Sequence, residues 1–122
     1  MMLPAVTAAA EVPDLASDVV ERIRLATIDS QSEGTRRAYA SAWRRFEWWC
    51  QRSGYEALTA HPATIAAYLV DAAETVTENG ERAYSTMSLG KWCAAIFDRH
   101  RRAGLEPNPA GHELVRQTMS GI

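Results

Sequence analysis

The chain has 122 residues, 47% of them hydrophobic, and 13 Lys+Arg against 15 Asp+Glu leave a formal net charge of -2. That is the size and composition of one globular domain with one core, and it excludes a disordered or low-complexity chain. Two cysteines, Cys50 and Cys93, make no disulfide framework, and no charge-free run of about 18 apolar residues is present to cross a membrane, so a reducing, cytoplasmic setting is expected.

Residues 1–12 lack both a basic region and a sustained apolar stretch, and they read as a flexible tail rather than a signal peptide. A helix is predicted over 14–28, with Asp14 as its N-cap, Val12 positioned to staple against Val19, and Leu15, Val19, Ile23 and Ala26 recurring at helical spacing. The polar stretch from Asp29 to Gly34 ends it.

The strongest helical pattern covers 34–53. Tyr39, Trp43, Phe46 and Cys50 recur at four, three and four residues, and Ala42 and Trp49 widen that stripe. Ser32 is available as a cap, and Gly54 stands where a left-handed C-cap belongs. Arg37, Arg44 and Arg45 fall off the stripe and are expected to face solvent, as is Trp48.

A third helix over 62–77 opens at His61-Pro62, where a missing N–H costs nothing, and buries Ile65, Leu69, Ala72 and Val76, with Tyr68 at the flank. Thr77 to Gly80 is its exit turn. A fourth spans 85–103, closed by Gly104, with Leu89, Trp92 or Cys93, Ile96, Phe97 and His100 on its apolar side. After the turn at Leu105-Glu106-Pro107, Asn108 and Pro109 open a short fifth helix over 109–120. No β-alternation competes, so the expectation is an all-α bundle of about five helices in a single domain over 13–122.

Charge is segregated along the chain. Residues 34–53 hold Arg36, Arg37, Arg44, Arg45 and Arg52 against Glu47, and residues 82–104 hold Arg82, Lys91, Arg99, Arg101 and Arg102 against Asp98. Residues 54–81, between them, contain five acids and no Lys or Arg. Phosphate contacts need extended cationic donors and hydroxyls at helix starts. Arg36, Arg37, Ser41, Arg44 and Arg45 meet that need on the second helix, and Thr86, Ser88 and Lys91 meet it on the fourth. The bland alternative is that solvated helix faces commonly carry arginines. Catalytic and metal signatures are missing: His61, His100 and His112 are far apart, and there is no phosphate-binding glycine loop, nucleophile elbow or paired-histidine zinc run. A binding module needing no cofactor or metal is expected.

The string Ser32-x-x-Thr35-x-x-x-Tyr39-x-x-x-Trp43-x-x-Phe46-x-x-Trp49-Cys50 resembles the first core-binding helix of tyrosine recombinases, the phage-integrase family. Ser85-Thr86 through Leu89, Ala95-Ile96, His100 to Leu105 and Asn108-Pro109 resemble the second half of the same amino-terminal domain, so that the likeness covers roughly 14–120 and is nearest the Cre recombinase type. The resemblance implies a SAM-like core-binding fold and half of a clamp around duplex DNA, with a larger catalytic domain as the other half. It also implies that the first and fifth helices join neighbouring protomers in a synaptic tetramer of the full-length protein.

Carried residue by residue, the likeness places Arg36, Arg37, Ala38, Ser41 and Arg44 in the DNA-facing register of the second helix. It places Thr86, Met87, Ser88, Lys91 and Trp92 there on the fourth, with Arg101 and Arg102 as a basic pair at its end. Ala38 and Met87 would favour thymine methyl groups over hydrogen-bonded readout. The family's tyrosine nucleophile and its cationic partners match nothing here, including Tyr39, Tyr55, Tyr68 and Tyr84, so a non-catalytic fragment is expected. The competing reading is a helical protein–protein module anchored by Trp48 and Tyr55.

Overall fold

The computed structural model describes residues 13–29 and 32–122, so the tail expected over 1–12 lies outside the described residues. The chain falls into two units, the first ending at Ser32 and the second spanning Glu33–Ile122. Helix α1, Ser17–Asp29, belongs to the first. It starts three residues after Asp14, with Val19 and Val20 amides bonded to the Ala16 carbonyl, so Asp14 is not its cap. Of its expected buried face, Leu15, Ile23 and Ala26 are exposed and Val19 is half-buried.

The second unit contains α2 (Glu33–Ser53), α3 (Pro62–Glu74), α4 (Thr86–Arg102), a 3-10 turn (Pro109–Gly111) and α5 (Glu113–Gly121). Among the described residues the element order matches the expected all-α arrangement of five α-helices. Helix α2 ends as its sequence dictates: Gly54 takes φ +80, and the Tyr55 amide reaches back to the Cys50 carbonyl at 2.9 Å. Helix α4 closes in the same way at Gly104 (φ +75), with Leu105 N–H on the His100 carbonyl.

Two histidines cap helices. His61 Nδ1 accepts from the Ala63 amide at 3.0 Å to open α3, and His112 Nδ1 accepts from Leu114 at 3.0 Å to open α5. Ser85 caps α4 through its hydroxyl on the Ser88 amide. The expected single helix over 109–120 is therefore two pieces. Asn108 caps the 3-10 turn, and His112, in extended backbone, breaks the path before α5 begins.

Helix α3 stops at Glu74, three residues short of expectation. Thr75 is extended, and the following residues form a small β-turn structure: Ala83 N–H bonds Thr75 O, Thr77 N–H bonds Glu81 O, and Val76 bridges to Arg82. The β-branched run Thr75-Val76-Thr77 followed by Asn79-Gly80 is a hairpin signal that outcompetes helix propagation, and Val76 is exposed rather than buried.

The core joins Trp43, Phe46 and Cys50 of α2 to Ile65, Tyr68, Leu69 and Ala72 of α3, Leu89 and Ile96 of α4, Ala110 of the 3-10 turn and Val115 of α5. Aromatic edges organise it: Phe46 meets Tyr68 edge-on at 5.0 Å, and Trp43 lies 5.6 Å from Phe46. Tyr68, expected at the flank, is buried, and burial pushes its phenol up to about 12. Phe97, expected on the apolar side of α4, is exposed, while His100 is wholly buried.

Phe46→Ala should lower the unfolding free energy by about 3–5 kcal/mol, whereas Val76→Ala should change it by less than about 0.5 kcal/mol, both read by chemical denaturation. Burial, with Glu47 nearby, pushes the Cys50 thiol up to about 11. A raised acid contributes stability that is complete below the free thiol's range and is lost as pH climbs through the folded value. Unfolding free energy should therefore fall between about pH 9 and 11, and Cys50→Ala should flatten that fall.

Candidate nucleic-acid interface

Helices α2 and α4 are in contact and run in opposite directions: Arg45 of α2 meets Trp92 of α4, and Trp43 meets His100 further along. The helical period turns Arg37, Ser41, Arg44 and Trp48 onto the face of α2 opposite Trp43, Phe46 and Cys50, and all four are exposed. Arg37 touches Glu33 at 3.5 Å, with both side chains more than three-quarters exposed, so solvent leaves that pair weak. Arg44 makes no ion pair among the described residues. Trp48 is 57% exposed, with the Arg52 guanidinium 4.5 Å above its ring. Ala38 is exposed beside this face.

Arg45 is exposed, as expected, but it is also engaged with neighbouring rings. Its guanidinium lies 4.6 Å from the Tyr84 ring centroid and 4.3 Å from that of Trp92, and it donates to the Tyr84 hydroxyl. It clasps α2 to the start of α4 while remaining exposed. Its flank of α2 is the one α4 crosses, and a period of 3.6 residues alone does not reveal that. Trp92 is half-buried in the same group, 4.8 Å from Tyr84, and serves as a packing ring.

On α4, Met87 is 72% exposed and Lys91 is exposed without an ion pair among the described residues. Thr86 Oγ1 accepts from Arg82 at 3.4 Å, and the half-buried Ser88 hydroxyl meets that of Ser85 at 3.1 Å. The pair at the helix end is engaged as well. Arg101 and Arg102 both bind Asp98, at 2.6 and 2.8 Å, and the Asp98 side chain is only 11% exposed.

The structure assembles two cavities that spacing did not foretell. A notch of about 140 Å³ between α2 and α4 is lined by Arg36, Tyr39, Trp43, Asp98, Arg99 and Arg102, together with two alanines. Arg99 lies 5.4 Å from the centroid of the Trp43 ring, and the buried Trp43 indole N–H has no hydrogen-bond partner among the described residues. A second cavity of about 240 Å³ includes Arg45, Trp48, Arg52, Tyr68 and Asp71, where Trp49 Nε1 donates to Asp71 at 3.0 Å. The Tyr68 hydroxyl is also buried without a hydrogen-bond partner among the described residues, with Arg45 near enough to act on it through charge. Sequence reasoning missed Arg99. The available signal was its spacing of four from Ala95 and three from Arg102, which sets all three on one flank of α4.

None of the histidines is placed for catalysis. His61 and His112 cap helices, and His100 uses both ring nitrogens internally, accepting from the Ala60 amide at 3.1 Å and meeting the Ile96 carbonyl at 2.9 Å. Among the described residues no group of three or more His, Cys, Asp or Glu could hold a metal ion, and no helix is long and apolar enough to cross a membrane.

The class defined so far is an all-α domain with basic residues on two contacting helices. Over 95 residues, 76% of its length, the chain is 35% identical to a protein described as "Integrase/recombinase xerD homolog" from Selenomonas ruminantium. It is thus related over most of its length to tyrosine recombinases of the xerD kind. The match covers 26% of that relative, so the chain spans about a quarter of the relative's length. No protein-family model matches the chain.

Arg45→Ala should destabilise the domain by about 1–2 kcal/mol through lost ring and hydroxyl contacts. Arg44→Ala should stay within about 0.5 kcal/mol, and thermal unfolding of the two variants side by side checks the division.

Proposed function

We propose that the chain is the DNA-binding arm of a site-specific tyrosine recombinase, a core-binding domain of the Cre type with a SAM-like arrangement of helices. It grips duplex DNA through α2 and α4. The observation that carries this reading is the 35% identity over 76% of the chain to an integrase/recombinase. In a clamp of this kind one arm supplies position and the other supplies chemistry. Cleavage and rejoining belong to the part of the parent protein that this stretch does not match, and this domain acts without cofactor or metal in the cytoplasm.

The chemistry on α2 and α4 supports the assignment. Arg37 and Arg44 are solvated cations on one exposed stripe, Ser41 stands between them as a hydroxyl donor, and Lys91 is available on α4. Such groups hold phosphate oxygens and set register without reading sequence. Ala38 and Met87 offer apolar contacts suited to thymine methyl groups. Arg36, Arg101, Arg102 and the Thr86–Ser88 segment complete the proposed contact set. Arg45 and Trp92 contribute by holding α2 and α4 in register. In the full-length protein, α1 and α5 join protomers of a synaptic tetramer, and the exposed apolar residues of α1 suit that task.

A second reading, a helical protein–protein module, draws on Trp48 at 57% and Tyr55 at 51% exposure. Titration against an arbitrary duplex at about 50 and 200 mM salt separates the two. With three to six phosphate contacts, raising the salt over that range should weaken binding by a factor on the order of 10²–10³. Arg37→Ala and Arg44→Ala should each weaken binding to many sequences about equally. Unchanged binding at low salt in both variants, or no binding by the parent chain, would sink the reading and favour the protein module.

A further inference from the structure

Both buried side-chain polar atoms that lack a partner among the described residues, Trp43 Nε1 and Tyr68 Oη, belong to residues lining two of the arginine-bearing cavities. The notch at Trp43 is the more cationic. Three guanidinium groups, from Arg36 on α2 and from Arg99 and Arg102 on α4, share it with one carboxylate, Asp98. That carboxylate is already held by Arg101 and Arg102 at 2.6 and 2.8 Å, so its charge is largely answered before any ligand arrives. Arg99 is placed against the indole face of Trp43, and among the described residues it has no carboxylate partner. The charge of Arg99 therefore adds to a notch of about 140 Å³ that Trp43 also lines, and the buried Trp43 indole N–H has no acceptor among the described residues.

We propose that this notch is a seat for a single phosphate group, held by Arg36, Arg99 and Arg102, with Arg99 as its principal donor. The volume suits one tetrahedral oxyanion and is too small for a nucleoside. Guanidinium forks match phosphate oxygens in pairs, and donors arriving from two helices suit a tetrahedral group better than a flat carboxylate. Trp43 lines the seat, so its indole N–H signal serves as a reporter. The proposal deepens the duplex reading and rests on it only for the source of the phosphate, a DNA backbone diester rather than a free phosphate. Arg99 then joins the contact set as a residue that fixes the register of α4 against one strand.

The test uses the 122-residue chain labelled with nitrogen-15. Inorganic phosphate is titrated against chloride of matched ionic strength while the four tryptophan indole N–H signals are followed. The Trp43 signal is assigned from its loss in Trp43→Phe or, where that variant does not fold, from through-space contact with His100. The expected result is a saturable shift of the Trp43 signal alone, weakened at least tenfold by Arg99→Gln and unaffected by Arg37→Gln. In a parallel arm with duplex DNA, Arg99→Gln should lower the slope of log affinity against log salt by about one, the loss of one phosphate contact. A parent chain that binds duplex while phosphate leaves Trp43 unmoved and Arg99→Gln leaves the slope unchanged overturns the seat and spares the duplex reading. A saturable, Arg99-dependent shift in a chain that does not bind duplex upholds the seat, assigns it to free phosphate and overturns the duplex reading.

Discussion

His100 is the constraint on which the geometry of the basic helices depends. It sits fully buried near the end of α4, and its two nitrogens have different tasks. Nε2 accepts from the Ala60 amide, so the proton must reside on Nδ1, which donates to the Ile96 carbonyl one turn back. The ring is therefore a neutral imidazole with both edges committed, and it ties α4 to the loop that precedes α3. Its face is committed too, because Trp43 of α2 meets it edge-on at 5.8 Å. One side chain thus couples α2, α4 and the approach to α3. The residues beside it inherit that placement: Arg99 falls against Trp43, and Asp98 stays low enough to gather Arg101 and Arg102.

At the other end of the contact between α2 and α4, the equivalent role belongs to a cation and rings rather than to hydrogen bonds. Arg45 spans Tyr84 and Trp92, and Trp92 continues into Tyr68, which meets Phe46 in the core. A guanidinium is suited to this site because it is weakly hydrated and flat, and it keeps its charge while stacked. Two clasps, one imidazole and one guanidinium, thus fix the helices along their length. The arginines of the second helix consequently divide into two groups. Arg45 belongs to the architecture, and Arg37 and Arg44 remain solvated.

This division explains what the sequence could and could not reveal. The stripe Tyr39, Trp43, Phe46 and Cys50 was legible because a long helix with one buried face repeats its signal several times. Gly54 and Gly104 were legible because only glycine accepts a positive φ cheaply at a helix end. The end of α3 was misread because Val76 continues an apolar helical spacing while also being β-branched before Asn79-Gly80, and only the local competition decides between them. The role of Arg45 was illegible for a different reason. Helical period sorts residues onto faces of their own helix, but the flank that meets a neighbour depends on the crossing of α2 and α4. The Arg45–Tyr84 contact spans 39 positions in sequence.

A chain with net charge -2 can still present positive charge, provided its acids are kept off the helices that need it. Here the acids of α2 and α4 are few, and two of them are spent locally: Glu33 lies on Arg37, and Asp98 lies on Arg101 and Arg102. The two cases differ in kind. The Glu33 pair is exposed and easily exchanged for a phosphate, whereas Asp98 is nearly buried and holds its partners in place. Asp98 thereby makes its two arginines rigid at the cost of one unit of charge, while Arg99 adds its own charge to the same notch, which Arg36 also lines. Rigid donors lose less freedom when they meet an anion than long solvated ones do, so affinity per contact should be greatest at the notch. The open stripe of Arg37 and Arg44 contributes mainly long-range, salt-sensitive attraction.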